Sequence, residues 1–155
     1  MPLQTAVIET KDLTTAQQNT MLELMQRHYE GVNPARFSTD LMEKQWVVVS
    51  FFPKSPHIVA FSTLSILKCT VDDEPIRAFY SGDTIVDRAY WGSLSHAKQW
   101  IEFVFSIVDT SPELRWYWFL VCKGYRTFRY LPVYFKRYIP SPESGDAFER
   151  KVMDT

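Results

Sequence analysis

Apolar positions along this chain recur with two periods, and the points where the period switches divide it into elements. Thr5 to Glu9 reads as a short first strand. Leu13-Thr14-Thr15 opens a helix in which Thr15 and Gln18 fit a capping box and Met21, Leu24, Met25 and His28 share one face. Gly31-Val32-Asn33-Pro34 breaks it, and a second short helix is expected from Ser38, with Phe37 and Leu41 inward. Trp46 to Phe52 is a continuous apolar, β-branched run, the pattern of a buried strand. The turn Pro53-Lys54-Ser55-Pro56 leads into a strand over His57 to Cys69, and Asp72-Asp73-Glu74-Pro75 closes a hairpin onto a strand over Ile76 to Val86. The helical period resumes from Leu94 to Val108, with Leu94, Ala97, Ile101, Val104 and Val108 on one face. Ser111-Pro112 stops it. In Arg115 to Cys122, Tyr117, Phe119 and Val121 alternate with Trp116, Trp118 and Leu120, so both faces read as buried, as in a central strand. Tyr125 to Tyr138 is aromatic and basic and reads as helical around Pro132; residues 140–155 form a polar tail, expected to be loose.

The order β-α-α-β-β-β-α-β-α predicts one domain over residues 1–139 followed by the tail. Three consecutive strands would make an antiparallel meander. The last strand would return by a helical crossover and pair parallel to the strand at Ile76. The expected fold class is α/β (α+β), a mixed, mostly antiparallel sheet with helices on both faces. Where two parallel strands diverge, a crevice opens at their carboxyl ends and takes ligands.

Composition narrows this picture. A chain of 155 residues with 46% hydrophobic and 15% aromatic residues can bury one sizeable core and is not disordered. A net charge of −1 gives no global field to steer nucleic acid or a membrane surface. The charge is uneven, with six Lys or Arg and no acid between Leu114 and Pro142. Cys69 and Cys122 are far apart, outside any C-x-x-C or zinc spacing, and read as buried free thiols of a reducing cytoplasm; no metal is expected. No apolar run is long enough to span a bilayer.

The segment from Ile76 to Val108 carries the chemistry. A strand feeds a turn with little side-chain bulk at Gly92, Ser93 and Ser95, and the turn opens a helix. The first amides of a helix lack intrahelical acceptors and its dipole favours negative charge there, so the turn is a candidate phosphate site. At these residues the chain resembles the GNAT superfamily of N-acyltransferases. Phe37-Ser38-Thr39-Asp40-Leu41-Met42-Glu43-Lys44-Gln45-Trp46-Val47-Val48 is similar to the second helix running into the second strand of that family. Ile58-Val59-Ala60-Phe61-Ser62-Thr63-Leu64 is similar to its "I-x-G-F-x-x-L" strand. Asp83 to Ser93 is similar to the fourth strand and the "V-x-P-x-Y-R-G-x-G" turn. The resemblance implies acetyl-CoA or another acyl-CoA as co-substrate, its pyrophosphate on the turn amides and its pantetheine arm between the fourth and fifth strands. It places Ile85, Val86, Trp91, Gly92, Ser93, Leu94, Ser95, His96 and Arg126 against that ligand. The turn departs from the family pattern Gln/Arg-x-x-Gly-x-Gly/Ala, with Trp91, Leu94 and His96 at the three defining positions. The strand pair that usually ends the family's domain has no counterpart in the polar tail. The acceptor side would then be open, completed by a partner chain or second copy, or absent.

Transfer to an amine needs a base for the amine proton and an acid for the departing thiolate. Asp83 is the first candidate base, with Ser81 and Asp87 on its side of the strand; Asp87 reads as a turn residue. The resemblance puts the acid on a tyrosine after the fifth strand, Tyr130 first and Tyr134 next, against the plainer reading of core tyrosines with wet hydroxyls. Arg88, Arg126 and Arg129 suit phosphate oxygens or simply solvate a helix face. His28 and His57 read as structural, and no Ser-His-Asp or P-loop arrangement occurs. The expected function is acyl-CoA-dependent N-acyltransfer to a small-molecule or peptide amine by direct attack. Two alternatives stand beside it. One is a GNAT-like binding module that has lost catalysis. The other is single-stranded nucleic acid binding through residues 125–138, which the near-neutral charge disfavours.

Overall fold

A computed structural model describes residues 3–55, 57–122, 124–141 and 146–155, without the side chains of Arg126 and Tyr130. Five strands form one sheet in sequential order: β1 (Gln4–Glu9), β2 (Trp46–Phe51), β3 (Ile58–Val71), β4 (Glu74–Val86) and β5 (Arg115–Leu120). The first three pairings are antiparallel and β4 with β5 is parallel, as the crossover required. The β3–β4 hairpin turns on Asp72 and Asp73, both at positive φ, which matches the twist of the flanking strands.

Helices α1 (Thr15–His28) and α2 (Pro34–Met42) cover one face of the sheet, and α3 (Ser95–Val108) crosses the other. The main core lies under α1 and α2, where Met21, Leu24, Phe37 and Leu41 meet Val47, Val49, Phe61 and Ile85. Both helix starts sit upstream of their expected places. The capping box is Thr14 with Gln17, because Thr14 Oγ1 accepts from the Gln17 amide while Gln17 Oε1 accepts from the Thr14 amide. α1 ends before Gly31-Val32-Asn33-Pro34, and Asn33-Pro34 already begins α2: Asn33 accepts from the Arg36 amide and Pro34 fills the first helical position, where no N–H is needed.

Helix α3 buries a different face from the one expected. His96, Gln99, Trp100 and Phe103 turn to the sheet, through contacts with Ser50, Thr5, Trp118 and Trp46 respectively. Leu94, Ala97 and Ile101 of the expected inner stripe are exposed. Two apolar stripes compete on this helix, and the one carrying Trp100 and Phe103 removes more area from water than the one carrying Ala97. Strand β5 is likewise an edge strand, not a central one. Its Trp116 and Trp118 pack towards α3, whereas Phe119 on the opposite face is 54% exposed and stacks on Tyr80. Alternating aromatics look buried on both faces when read as a string, but a neighbouring strand exists on one side only.

Beyond β5 the chain forms two short helices, α4 (Tyr125–Phe128) and α5 (Tyr130–Tyr134). The tail, expected to be loose, contains α6 (Ala147–Asp154), capped by Asp146 and tied back by Lys151 to Asp72 at 2.7 Å and by Arg137 to Glu149 at 2.7 Å. Both cysteines are free; Cys69 is half-buried, but Cys122 is exposed rather than buried, because β5 ends before it. Among the described residues, no helix is long and apolar enough to cross a membrane.

Candidate active site

The parallel ladder between β4 and β5 runs from Ile76↔Arg115 to Ser81↔Leu120 and ends there, while β4 continues five residues to Val86. β5 is therefore paired along its whole length and ends at Leu120, while β4 runs on to Val86 with no strand beside it there among the described residues.

A bulge in β4 marks the end of this pairing. Ser62 pairs with Thr84 and Leu64 with Ser81, so Gly82 and Asp83 together oppose Thr63. Gly82 is required by space: a Cβ there would lie 2.5 Å from Thr63 Oγ1 and 3.1 Å from Lys44 Cε. Ser81 is fixed from the β5 side, its Oγ accepting from Trp118 Nε1 at 2.9 Å. Trp118 in turn packs on Trp100 of α3 and on Phe135. Asp83, the candidate base, is half-buried in the bulge at the head of the gap.

Past the bulge, strand geometry decides which backbone groups face the gap. The Asp87 amide donates to the Val59 carbonyl at 2.8 Å, so residues 59 and 87 form a hydrogen-bonded pair. In an antiparallel ladder such pairs alternate with pairs whose polar groups point away from each other. Phe61 and Ile85 are then a bonded pair, and Thr84 and Val86 turn their N–H and C=O away from β3, into the gap. Ile85 faces β3 with its backbone and the core with its side chain. The backbone that lines the gap belongs to Val86, as expected, and to Thr84, which the sequence reading missed. Only the parity of the register reveals Thr84, and the bulge, which sets that parity, is invisible in the string.

After β4 the chain makes a 3-10 turn, Arg88–Tyr90. Asp87 holds this turn: Oδ1 accepts from the Ala89 amide at 3.1 Å and Oδ2 from Arg27 of α1 at 2.9 Å. Trp91 follows, its indole N–H donating to the Val86 carbonyl at 2.8 Å and the Arg88 guanidinium 5.9 Å over its ring. Gly92 has open space around the position of a Cβ. Ser93 and Ser95 share a hydroxyl hydrogen bond at 2.8 Å. Leu94 precedes α3 and makes no side-chain cap bond, and the first-turn amides of a helix have no intrahelical acceptor.

His96, placed by sequence at the ligand, turns its imidazole the other way. Nδ1 lies 2.8 Å from Ser50 Oγ and Nε2 2.9 Å from Ser62 Oγ, both buried on β2 and β3. The ring is 7% exposed, and burial lowers its pKa from 6.5 to about 4, so it is neutral at pH 7. A neutral imidazole gives one N–H donor and one acceptor, each matched by a hydroxyl that can play either part. His96 thus seats the first turn of α3 on the sheet, and its backbone amide, not its ring, belongs to the turn. Tyr134 is 71% exposed on α5; the side chains of Tyr130 and Arg126 lie outside the described residues.

The sequence matches no family model and no curated protein. Solved structures do match along most of the chain. An acetyltransferase from Trypanosoma brucei is 18% identical, with 90% of this chain covering 96% of it at a TM-score of 0.60. A ribosomal-protein-alanine N-acetyltransferase from Brucella melitensis biovar Abortus is 10% identical, with coverages of 90% and 95% and a TM-score of 0.61. The fold is that of the GNAT acetyltransferases. A further structure with the same fold, a predicted acetyltransferase with acetyl-CoA from Clostridium acetobutylicum, is 10% identical over 93% of this chain, with a TM-score of 0.58. Within this fold the end of β5 beside β4 and the turn into α3 follow in the order that the motif resemblance implied.

Proposed function

We propose that the protein is an acyl-CoA-dependent N-acyltransferase that acts by direct transfer to a small-molecule or peptide amine, within a domain that spans residues 1–139. The observation that carries this reading is the gap beside β4: backbone at Thr84 and Val86, which no strand pairs on that side among the described residues and whose Val86 carbonyl meets only the indole of Trp91 there, runs towards the first turn of α3. An extended arm with amide groups complements such a strand edge, and a pyrophosphate complements free helix-start amides. Of the turn from Trp91 to His96, the amides of Trp91 and Ser93 already donate to the Arg88 and Tyr90 carbonyls, so Gly92, Leu94, Ser95 and His96 would supply the donors, and the open space at Gly92 leaves room for the phosphates. Arg88 precedes the turn in sequence, and the family resemblance adds Arg126 as a second cation. Solved structures with this fold are acetyltransferases, so acetyl is the first acyl group to test.

In this reading the amine attacks the thioester carbonyl, a C–N bond forms and the C–S bond breaks. Asp83 takes the amine's proton, directly or through a water. Tyr130 or Tyr134 gives a proton to the thiolate. The exposed Phe119, stacked on the half-buried Tyr80, leaves the acceptor side open, where a second copy or a partner chain would complete it.

Calorimetric titration with coenzyme A tests the site. Wild type should bind, and Gly92→Glu should bind about tenfold more weakly, because a carboxylate there meets the phosphates. A panel of amines with acetyl-CoA, read by thiol release, then separates an enzyme from a module that binds without turnover. No binding of coenzyme A, with salt-sensitive binding of oligonucleotides instead, would replace this reading with the nucleic acid one.

A further inference from the structure

We propose that Trp91 is a specificity-determining residue of the crevice, holding the Val86 carbonyl so that a ligand enters along β4 only by bringing an N–H donor of its own. The inference rests on the crevice being the acyl-CoA site. Three observations combine. First, the alternation of the β3–β4 ladder turns the Val86 carbonyl into the gap, where β5 no longer reaches. Second, that carbonyl is already used, by Trp91 Nε1 at 2.8 Å. Third, Trp91 is 66% exposed, with the Arg88 guanidinium 5.9 Å from its ring centroid, so most of the side chain lies outside the packed interior. The hydrogen bond to Val86 ties its N–H to the strand.

The consequence is an exchange. An arm lying along β4 displaces the indole and must satisfy the acceptor it vacates. A secondary amide does so with its own N–H, and the released indole donates to water. A hydrocarbon or ester-linked arm has no donor to offer and, lying over this carbonyl, would cover it without pairing it, which is costly. The selected ligand class is therefore an extended chain bearing a secondary amide near its phosphate end, the chemistry of a pantetheine arm. The exchange also costs affinity, because one existing hydrogen bond is broken for each one formed.

Trp91→Phe keeps a ring and removes the donor. Coenzyme A should bind this variant about 2- to 10-fold more tightly, the range of one net hydrogen bond expressed as an affinity ratio. In wild type, tryptophan emission should change during the titration with the same Kd that calorimetry gives, and this change should be missing from the variant. An unchanged thermal midpoint checks that the exposed substitution leaves the fold intact. Equal affinity of the two proteins overturns the inference and leaves the coenzyme A site standing. Weaker binding by Trp91→Phe also overturns it, since the indole would then be a ligand contact. If neither protein binds coenzyme A, the reading of the crevice fails and this inference falls with it.

Discussion

Protonating His96 should loosen α3 from the sheet. The ring sits between two buried hydroxyls, and burial lowers its pKa to about 4, against 6.5 for an exposed histidine. A group whose folded pKa is depressed in this way resists protonation while folded and accepts it when unfolded. Its full contribution is therefore present above pH 6.5, falls as the pH drops towards 4, and is constant below that. Between pH 8 and pH 5 the linkage amounts to about 2 kcal/mol, or roughly 4–8 °C in the thermal midpoint of a domain of this size. Protonation also makes both ring nitrogens donors, so the hydroxyl that had been donating to the ring must find another acceptor in a buried place. His96→Gln removes the titration while keeping one donor and one acceptor. Urea unfolding of both proteins at pH 8 and pH 5 gives the result as a difference of differences, which cancels the titration of every other group. Wild type should lose about 2 kcal/mol more than the variant over this range. Parallel losses in the two proteins would refute the reasoning, as would an imidazole signal that titrates near 6.5 in the folded state.

Gly82→Ala should destabilise the fold by about 1–3 kcal/mol, since the new methyl collides with Thr63 Oγ1 at the bulge; Thr63→Ala in the same protein should recover part of the loss in a double-mutant cycle. Asp83→Asn should lower kcat by about 10²–10⁴-fold with little change in coenzyme A affinity if its carboxylate takes the amine proton, and an equal loss in affinity would make it a binding residue instead. Tyr130→Phe should lower kcat over the same range of about 10²–10⁴, with Tyr134→Phe as the paired control; a loss only in Tyr134→Phe would move the acid by one helical turn, and no loss in either would assign the proton to water.

The string of residues determined whatever depends on local period and chain connectivity. Strands at β2 to β5 follow from β-branched and aromatic runs between turn residues, and the parallel pairing of β4 with β5 follows from a single crossover helix, which can close only one way. The turn from Asp83 to Ser93 was recognisable because close backbone approach demands small or polar residues in a fixed order. Tertiary structure decided everything that depends on which surface meets which. Helix α3 has two apolar stripes, and only the neighbouring indole of Trp118 and ring of Trp46 select the one bearing Trp100 and Phe103. The same selection turns His96 inward, to hydroxyls on Ser50 and Ser62 that lie 46 and 34 residues away in sequence. β5 is an edge strand because no further strand pairs beyond it among the described residues, a fact its own alternating aromatics cannot carry. The inward backbone of Thr84 and Val86 hangs on a bulge that shifts the register by one residue, and a shift of one reverses which groups a strand offers to each side. The side-chain pattern of β4 looks nearly the same on either parity, so the crevice lining came from the paired strand alone.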